Sequence, residues 1–147
     1  MINTINIKVK QINENAILPK YSTEGAACFD LYATSSTIVN PHEGSTFIGT
    51  GLTFEIPVGF VMLVYSRSGH GFKNDIRLCN SVGVIDSDYR GEVMVKLHND
   101  GVNPYTVSQG ERIAQAMIVP YFQANLVVSD ELSDTSRGIG GFGSTGK

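Results

Sequence analysis

The feature that most constrains the fold is an alternation of apolar and polar side chains with a period of two residues. It occurs in the segments 5–9, 52–56 and 93–97. Successive side chains of a β-strand point to opposite faces, so this period predicts strands with one buried face. No segment of the chain sustains the helical period of 3.6 residues. The alternation therefore predicts a fold built from short strands.

Other segments support the same fold class. The continuous apolar run 59–65 has the length of a strand covered on both faces, and turn residues rich in Gly, Pro and Asn separate the runs. The segment 111–119 is read as a strand because Pro120 ends it after about two helical turns and its neighbours are strands. One short helix is predicted between Gly69 and Ile76. Many short strands with such turns predict an all-β barrel or sandwich.

Composition and charge exclude several classes of protein. A chain of 147 residues has the size of one domain. The longest apolar run is too short to cross a bilayer and no secretory signal is visible, so we expect a cytoplasmic protein with no membrane partner. The net charge of −3, without a basic run, argues against a nucleic-acid partner. Cys28 and Cys79 lack metal-ligand spacing and are expected to be free thiols.

The composition changes near Asn125, where a segment rich in Ser, Asp, Thr and Gly begins. We therefore predict a β-barrel catalytic domain over residues 1–124 and a glycine-rich arm over residues 125–147, mobile until something holds it. Residues 141–147 match the start of a Walker A loop. A working loop needs a preceding strand, a hydroxyl residue after the lysine and a following helix, so we do not expect an ATPase.

Two arginine-containing segments suit a phosphate. Arg67-Ser68-Gly69 combines a guanidinium, a hydroxyl and a permissive backbone at the end of a buried strand. In the arm, Arg137 can bind a phosphate through two hydrogen bonds, and glycines let backbone N–H groups surround an anion. Phe142 lies among glycines, where an exposed ring can stack on a base. An ordinary turn and a flexible tail without function are the alternatives.

The segment 80–91 predicts a hairpin with two carboxylates and a tyrosine at its tip. Its first strand covers Val82–Ile85, its turn runs from Asp86 to Arg90, and the returning strand begins at Glu92. A carboxylate beside a phosphate can deprotonate a water molecule, but Asp and Gly are equally common in plain turns. Spacing alone does not choose between the two.

Single polar residues leave further alternatives open. Asp30 lies in an apolar stretch, and a buried carboxylate needs a partner, so it is either a structural anchor or part of a site. The segment 110–115 places Arg112 and Gln115 near the start of a strand. His42, His70 and His98 show no spacing typical of a metal site or catalytic dyad, and each is expected at the surface.

Taken in order, five segments resemble the five motifs of the trimeric dUTPase family: 25–31, 67–69, 80–91, 110–115 and 137–146. The third and fifth are close to the family pattern at every position. The resemblance implies a jelly-roll-like β-barrel and a homotrimer with shared active sites at subunit junctions. It also implies hydrolysis of dUTP to dUMP and pyrophosphate with Mg²⁺, which keeps uracil out of DNA and supplies dUMP for thymidylate synthesis.

By the same resemblance, Asp86 activates the water that attacks the α-phosphorus, and Asp30 lies in the water shell of a Mg²⁺ ion held mainly by the substrate phosphates. Arg112 is expected to support the site. The residues expected to contact the nucleoside are Asn80, Gly83, Val84, Ile85, Tyr89, Met94 and the stacking Phe142. Those expected in the phosphate-binding loops are Arg67, Ser68, Gly69, Gln115, Arg137, Gly143, Ser144 and Thr145.

The chain departs from the family pattern at three places. Ser66 stands where proline is common, the segment 70–75 replaces the usual Leu-Ala-containing segment, and Cys28 replaces a common glycine. Two other functions are alternatives to dUTP hydrolysis. A dCTP deaminase would share the fold but carry a glutamate acting at the base. A nucleotide-sensing regulator would bind a protein partner, and the segment 70–75 is where that surface is expected.

Overall fold

The computed structural model describes residues 4–42 and 46–144. Within these residues the chain forms eleven β-strands and one short helix, which confirms the predicted all-β class. The elements in chain order are β1 (Lys8–Gln11), β2 (Phe29–Tyr32), β3 (Thr37–Val39), β4 (Thr46–Gly49), β5 (Leu52–Glu55), β6 (Phe60–Tyr65), α1 (Ser68–Asn74), β7 (Ile76–Leu78), β8 (Val82–Ile85), β9 (Met94–Asn99), β10 (Tyr105–Val107) and β11 (Arg112–Pro120).

The strands form four hydrogen-bonded sheets in which every pair of neighbouring strands is antiparallel. The largest sheet has the strand order β2–β11–β6–β8, and a second has the order β4–β9–β7. The remaining two are the pairs β1–β5 and β3–β10. The large sheet brings together segments that are distant in sequence, and most of the predicted site residues lie on it or at its ends.

One hydrophobic core joins these sheets. Its residues with at most 1% of their surface exposed include one from each of β2, β4, β5, β9 and β11: Leu31, Ile48, Leu52, Leu97 and Ile113. Burying an aliphatic side chain of this size contributes about 1.5–3 kcal/mol relative to leaving it in water. Because the core side chains occupy alternate strand positions, the intervening residues are free to carry the site.

Several local predictions are confirmed. The apolar run 59–65 forms β6, in which Val61, Met62 and Val64 are buried. The segment 111–119 is the strand β11, and the predicted short helix is α1. This helix ends at Asp75, which adopts a left-handed conformation with φ 54°. No helix within residues 4–42 and 46–144 is long and apolar enough to span a bilayer.

The segment 5–9 differs from its prediction. We expected one buried face, but the strand begins only at Lys8, and Ile5 and Val9 are 43% and 36% exposed. β1 pairs with β5 as the edge of a two-stranded sheet. Of Ile5, Ile7 and Val9 only Ile7 packs against the core, and alternation alone cannot tell a covered position from an uncovered one.

Candidate active site

The large sheet places three predicted site residues next to one another by strand register. Gln115 on β11 lies opposite Asp30 on β2 and, on its other side, opposite Tyr65 at the end of β6. Directly opposite residues of antiparallel strands project to the same face. Arg67 follows Tyr65 by two residues, so the end of β6 brings Arg67 to the face that carries Asp30 and Gln115.

Asp30 is the centre of an ion-pair cluster at this end of the sheet. Arg67 Nε donates to Asp30 Oδ1 over 3.0 Å, and Arg112 Nη1 donates to Asp30 Oδ2 over 3.3 Å. Ser22 Oγ also donates to Oδ2, over 3.2 Å. Asp30 is only 8% exposed, and a carboxylate this deeply buried needs such partners. These contacts make Asp30 a structural anchor that holds both arginines, and its part in a site stays a prediction.

A β-bulge directs Arg112 into the same cluster. The register between β11 and β2 shifts between Arg112 and Ala114, and both Ile113 and Ala114 are buried. Without the extra residue, consecutive side chains would alternate and Arg112 would leave the face of Asp30. Arg67 Nη1 in turn donates to the carbonyl oxygen of Arg112 over 3.2 Å, which joins the two arginines directly.

The loop between β6 and α1 is held by its own polar groups. Gln115 Nε2 donates to the carbonyl oxygen of Ser66 over 3.0 Å. The Ser66 hydroxyl oxygen accepts the backbone N–H of Leu78 over 2.9 Å, a contact that a proline at this position could not make. Ser68 is exposed at the first position of α1, with Gly69 beside it. The loop therefore presents Arg67 and Ser68 from a fixed backbone.

The segment 80–91 is not the closed hairpin that was predicted. β8 pairs with β6, with Val82 opposite Tyr65 and Ile85 opposite Met62, whereas β9 pairs with β4 and β7. The two strands flanking the turn therefore belong to different sheets. Their neighbours are better partners because β6 and β4 carry core residues that fix the register. The result is an opening between β8 and β9.

This opening is a cavity of about 260 Å³. Five residues predicted to contact the nucleoside line it: Asn80, Gly83, Val84, Ile85 and Met94. Gly83 packs closely on its cross-strand partner Val64, since an added Cβ would lie 3.1 Å from Val64 Cβ. Ser81, which precedes β8, has a positive φ of 61°, and the Val82 N–H donates to the Asn80 carbonyl oxygen over 2.6 Å. The structure brings these residues together around one cleft.

Six further residues, for which the sequence predicted no part in a site, line the same cavity: Phe47, Val64, Leu78, Cys79, Val95 and Lys96. Lys96 follows Met94 by two residues on β9, so the strand period alone could have placed it on the same face. Phe47 lies opposite Lys96 in the register of β4 and β9, and Lys96 Nζ is 4.7 Å from its ring centroid. No sequence signal indicates that pairing.

At the other end of β8, the turn 86–91 carries Asp86 and Tyr89, both exposed. The Tyr89 hydroxyl donates to the Glu92 carbonyl oxygen over 3.0 Å, and the ring lies against Gly91, where any Cβ would collide with it. The Glu92 carboxylate accepts the backbone N–H of Gly51 over 2.7 Å. The turn is thus anchored to the β4–β5 connection while its carboxylate faces solvent.

Asp86 and Arg67 of one chain lie beyond opposite ends of the β6–β8 pair. Tyr65 and Val82 mark one end, and Met62 and Ile85 mark the other. At a rise of about 3.3 Å per residue, these paired positions alone span about 10 Å. Asp86 lies one residue beyond the end at Ile85, and Arg67 lies two residues beyond the end at Tyr65. The two side chains of one chain therefore cannot both reach the same phosphorus atom.

The arm is not brought to either end. After β11 the described residues form turns and no further strand, and Phe142 is fully exposed. Arg137 Nε donates to the carbonyl oxygen of Gly140 over 2.9 Å, and the Ser144 N–H donates to the Gly141 carbonyl oxygen over 2.8 Å. Gly143 has a positive φ of 81°. Thr145 lies outside the described residues.

One histidine is not where it was expected. His70 is 5% exposed, whereas surface placement was predicted for all three histidines. Its Nε2 lies 3.0 Å from Glu111 Oε1, and its ring packs edge-on against Tyr105. The expectation was wrong because His70 lies in the first turn of α1, on the side that faces β10 and the turn before β11. His42 is exposed and His98 half-buried.

Known proteins similar to this chain are dUTPases. The dUTPase family model matches residues 14–146. The chain belongs to the dUTPase family. A deoxyuridine 5'-triphosphate nucleotidohydrolase of Nautilia profundicola is 48% identical, and the alignment covers 97% of this chain and 100% of that protein. The corresponding protein of Helicobacter pylori (strain J99) is 39% identical, with 97% of each chain covered.

A solved structure shares the whole fold. The dUTPase of Staphylococcus bacteriophage 80alpha, with bound dUpNHpp, superposes with a TM-score of 0.91 at 28% sequence identity. The match covers 98% of this chain and 100% of that one. That phage dUTPase is described as controlling the transfer of virulence genes by a G protein-like mechanism. The fold described above is therefore that of dUTPases.

Two departures from the family pattern leave this framework intact. Ser66 keeps the loop in place through its hydroxyl, as described above. Cys28 is a free, half-buried thiol, and Cys79 is also free, as predicted. Burial and, to a smaller extent, the Asp30 charge raise the pKa of the Cys28 thiol. Cys28 therefore stays protonated beside the cluster and adds no charge to it.

The described residues fit a metal ion only in an indirect role. No group of three or more His, Cys, Asp or Glu side chains in residues 4–42 and 46–144 could hold a metal. Both oxygens of Asp30 already accept hydrogen bonds from arginine or serine. Mg²⁺ commonly keeps several waters and is held by one or two carboxylates together with substrate phosphates. Asp30 fits a contact to such an ion through water.

Proposed function

We propose that this chain hydrolyses dUTP to dUMP and pyrophosphate. The observation that carries the proposal is the cleft between β8 and β9, which is lined by Asn80 and Ile85, with the exposed Asp86 directly after Ile85 in the chain. Membership of the dUTPase family and the activity named for its relatives support the same substrate. A nucleoside bound in this cleft would have its phosphates directed towards Asp86.

The cleft favours uracil over other bases. β8 and β9 do not pair with each other, so backbone groups along the opening can bind the base, together with the Asn80 side chain. Cytosine reverses the donor and acceptor positions of uracil at two places and would leave buried polar groups without partners, a strong source of discrimination. The close packing of Gly83 on Val64 leaves little space beside the base, which is suited to exclude a thymine methyl group. Tyr89, packed against the sugar, would exclude a ribose hydroxyl.

The ion-pair cluster supplies the phosphate-binding groups. Arg67, Ser68 and Gln115 would contact the α- and β-phosphates, with Gly69 in the same loop. Arg112 would support the site through its contact with Asp30 rather than touch substrate. The guanidinium of Arg67 is held at its Nε by Asp30, so its orientation is set before substrate binds. Donors held in this way stabilise developing charge without reorganisation.

Asp86 acts as the general base. Its carboxylate accepts a proton from a water molecule, and the resulting hydroxide oxygen forms a bond to the α-phosphorus. The bond from the α-phosphorus to the bridging oxygen breaks, and pyrophosphate leaves with that oxygen. A Mg²⁺ ion bound mainly by the phosphates would neutralise the leaving group, with Asp30 in contact through water. In a cell this reaction would keep uracil out of DNA and supply dUMP.

One site is assembled from several copies of the chain. The separation of Asp86 and Arg67 within one chain supports a homotrimer in which one copy supplies the turn 86–91 and a neighbour supplies the phosphate-binding cluster. The arm of the third copy closes over the bound nucleotide. Phe142 would stack on the uracil, and Arg137, Gly143, Ser144 and Thr145 would lie against the γ-phosphate.

The proposal is tested by measuring pyrophosphate release from dUTP, dCTP, dTTP and UTP side by side with Mg²⁺. We expect turnover of dUTP to exceed that of the other three by orders of magnitude. Ammonia release from dCTP is assayed in parallel, because it would indicate the deaminase instead. A purified protein that left dUTP intact, or consumed dCTP as fast, would contradict the proposal.

A further inference from the structure

His70 is the buried member of a partly buried polar network that no step of the proposed reaction uses. Its Nε2 lies 3.0 Å from Glu111 Oε1, and the Tyr105 hydroxyl donates to the same oxygen over 2.5 Å. The other carboxylate oxygen of Glu111 accepts the backbone N–H of Ser108 over 2.9 Å. The His70 and Tyr105 rings meet edge-on, with centroids 5.5 Å apart.

The protonation of this network follows from its environment. Burial, together with the hydrogen bond to Glu111, raises the pKa of Tyr105 to about 12, so its hydroxyl keeps its proton and donates. Burial lowers the pKa of His70, which is therefore neutral at pH 7. Because the Glu111 carboxylate can only accept, the single ring proton of His70 is on Nε2. Nδ1 is buried, without a hydrogen-bond partner among the described residues.

The network reaches Arg67 from two directions. On α1, the backbone N–H groups of His70 and Gly71 both donate to the Arg67 carbonyl oxygen, over 3.1 and 3.0 Å. On the opposite side, Glu111 directly precedes Arg112, whose carbonyl oxygen accepts Arg67 Nη1 over 3.2 Å. The hydrogen bond between His70 and Glu111 therefore connects the two segments that hold Arg67.

We propose that His70 and Glu111 are positioning residues that fix Arg67 and Ser68 for the triphosphate, an inference that rests on the proposed function of the chain. A residue that only filled space at position 70 could be any side chain of similar volume. A neutral imidazole with one nitrogen on a carboxylate and the other buried without a partner is a poor filler. Its Nε2–H donor to Glu111, by contrast, joins α1 to the turn before β11.

The test compares His70→Leu with His70→Gln. Leucine fills the space but donates nothing, whereas the glutamine amide nitrogen can reach the position of Nε2. We expect His70→Leu to lower kcat/KM for dUTP, and the affinity for a non-hydrolysable dUTP analogue, by about tenfold, the usual cost of a hydrogen bond to a charged group. His70→Gln should recover most of this loss.

The affinity for deoxyuridine distinguishes a positioning role from a merely structural one. A positioning role leaves this affinity unchanged, whereas a general disturbance of the fold would lower it. The lining of the nucleoside cleft includes neither Arg67 nor any residue of the His70 network, so a local change at α1 should alter phosphate binding and not base binding. His98→Leu is the matched control, since His98, which is half-buried, also pairs with a carboxylate, that of Asp100, away from the cluster. It should leave every value within about twofold.

The outcomes separate this inference from the proposed function. If the unmodified chain hydrolyses dUTP and His70→Leu keeps its kcat/KM and its analogue affinity, the positioning role is wrong although the function holds. Equal losses for leucine and glutamine would also contradict it. Should His70→Leu fail to fold, His70→Met combined with Glu111→Gln replaces it, because methionine fills the space and also removes the donor. The effects of that pair should then be non-additive, and additive effects would reject the coupling.

Discussion

The phosphate-binding cluster and the turn 86–91 hold their charged groups in opposite ways. Asp30 is 8% exposed and ion-paired to Arg67 and Arg112, while Asp86 is exposed at the tip of its turn. The cluster needs its geometry before substrate arrives, because arginines orient phosphates only from a fixed position. A general base needs access to a water molecule. This difference fits the proposal that two half-sites, each suited to one task, meet between copies of the chain.

The largest expected effect tests whether one active site takes Asp86 from one copy of the chain and Arg67 from another. Asp86→Asn should lower kcat by about 10³-fold, because it removes the general base, and Arg67→Ala should cripple phosphate binding. If each site takes its turn from one copy and its arginine from another, refolding an equal mixture of the two variants restores about a quarter of normal activity. A mixture as inactive as its components would show that each chain carries a complete site.

The arm should produce the next largest effect. Deleting residues 137–147 removes a segment that makes no contact with the core in the described part of the chain, so the thermal unfolding midpoint should not change. Activity should fall by about 10²-fold, because closure positions the nucleotide and excludes water. Phe142→Ala should reproduce part of this loss. Normal turnover by the truncated chain would exclude a role for the arm in closure.

A smaller effect concerns how the exposed turn is joined to the core. Glu92→Ala leaves the Gly51 N–H without its 2.7 Å acceptor and should cost about 1–3 kcal/mol of unfolding free energy in urea titrations. Glu92→Gln retains an oxygen acceptor and should cost less. Asp88→Ala, exposed in the same turn, is the control and should be neutral. Equal stability of all three variants would mean that Glu92 does not anchor the turn.

The smallest expected effect is the contribution of His70 to the pH dependence of the unfolding free energy. Because burial lowers the pKa of His70 in the folded state, the unfolded chain takes up a proton at a higher pH than the folded chain does. His70 therefore makes stability decline as the pH falls below the ordinary histidine pKa. Between pH 7 and 5.5 the unfolding free energy of His70→Leu should decline less steeply than that of the unmodified chain. Equal pH dependence of the unfolding free energy in the two proteins would contradict the lowered pKa of His70.

The sequence predicted local structure well wherever one short segment contains the whole signal. The apolar run of β6, the strand Val82–Ile85 and the short helix α1 all follow from their own residues. The resemblance to dUTPases supplied the candidate residues of the cleft, although their contacts with nucleotide stay predictions. It could not supply Phe47 or Lys96, which line the cleft because β4 lies beside β9.

The wrong predictions share one cause. His70 was expected at the surface because its own neighbours, Gly69 and Gly71, are typical of a loop. Tyr105 and Glu111, which bury it, lie more than thirty positions away in the sequence. The turn 86–91 was expected to close a paired hairpin because adjacent strands often do. β6 and β4 compete for those strands, and only the packed core decides the outcome.

The amino-acid sequence by itself determined the strand-rich class, the turn positions, the dUTPase family and the identity of the charged groups, since each depends on residues read in order. The tertiary structure alone decided that Asp30 joins Arg67 to Arg112, that β8 and β9 separate into a cleft, and that His70 is buried. Those features depend on strand register and on contacts between distant segments. Their energies come from burial and hydrogen bonding that exist only once the sheets have assembled.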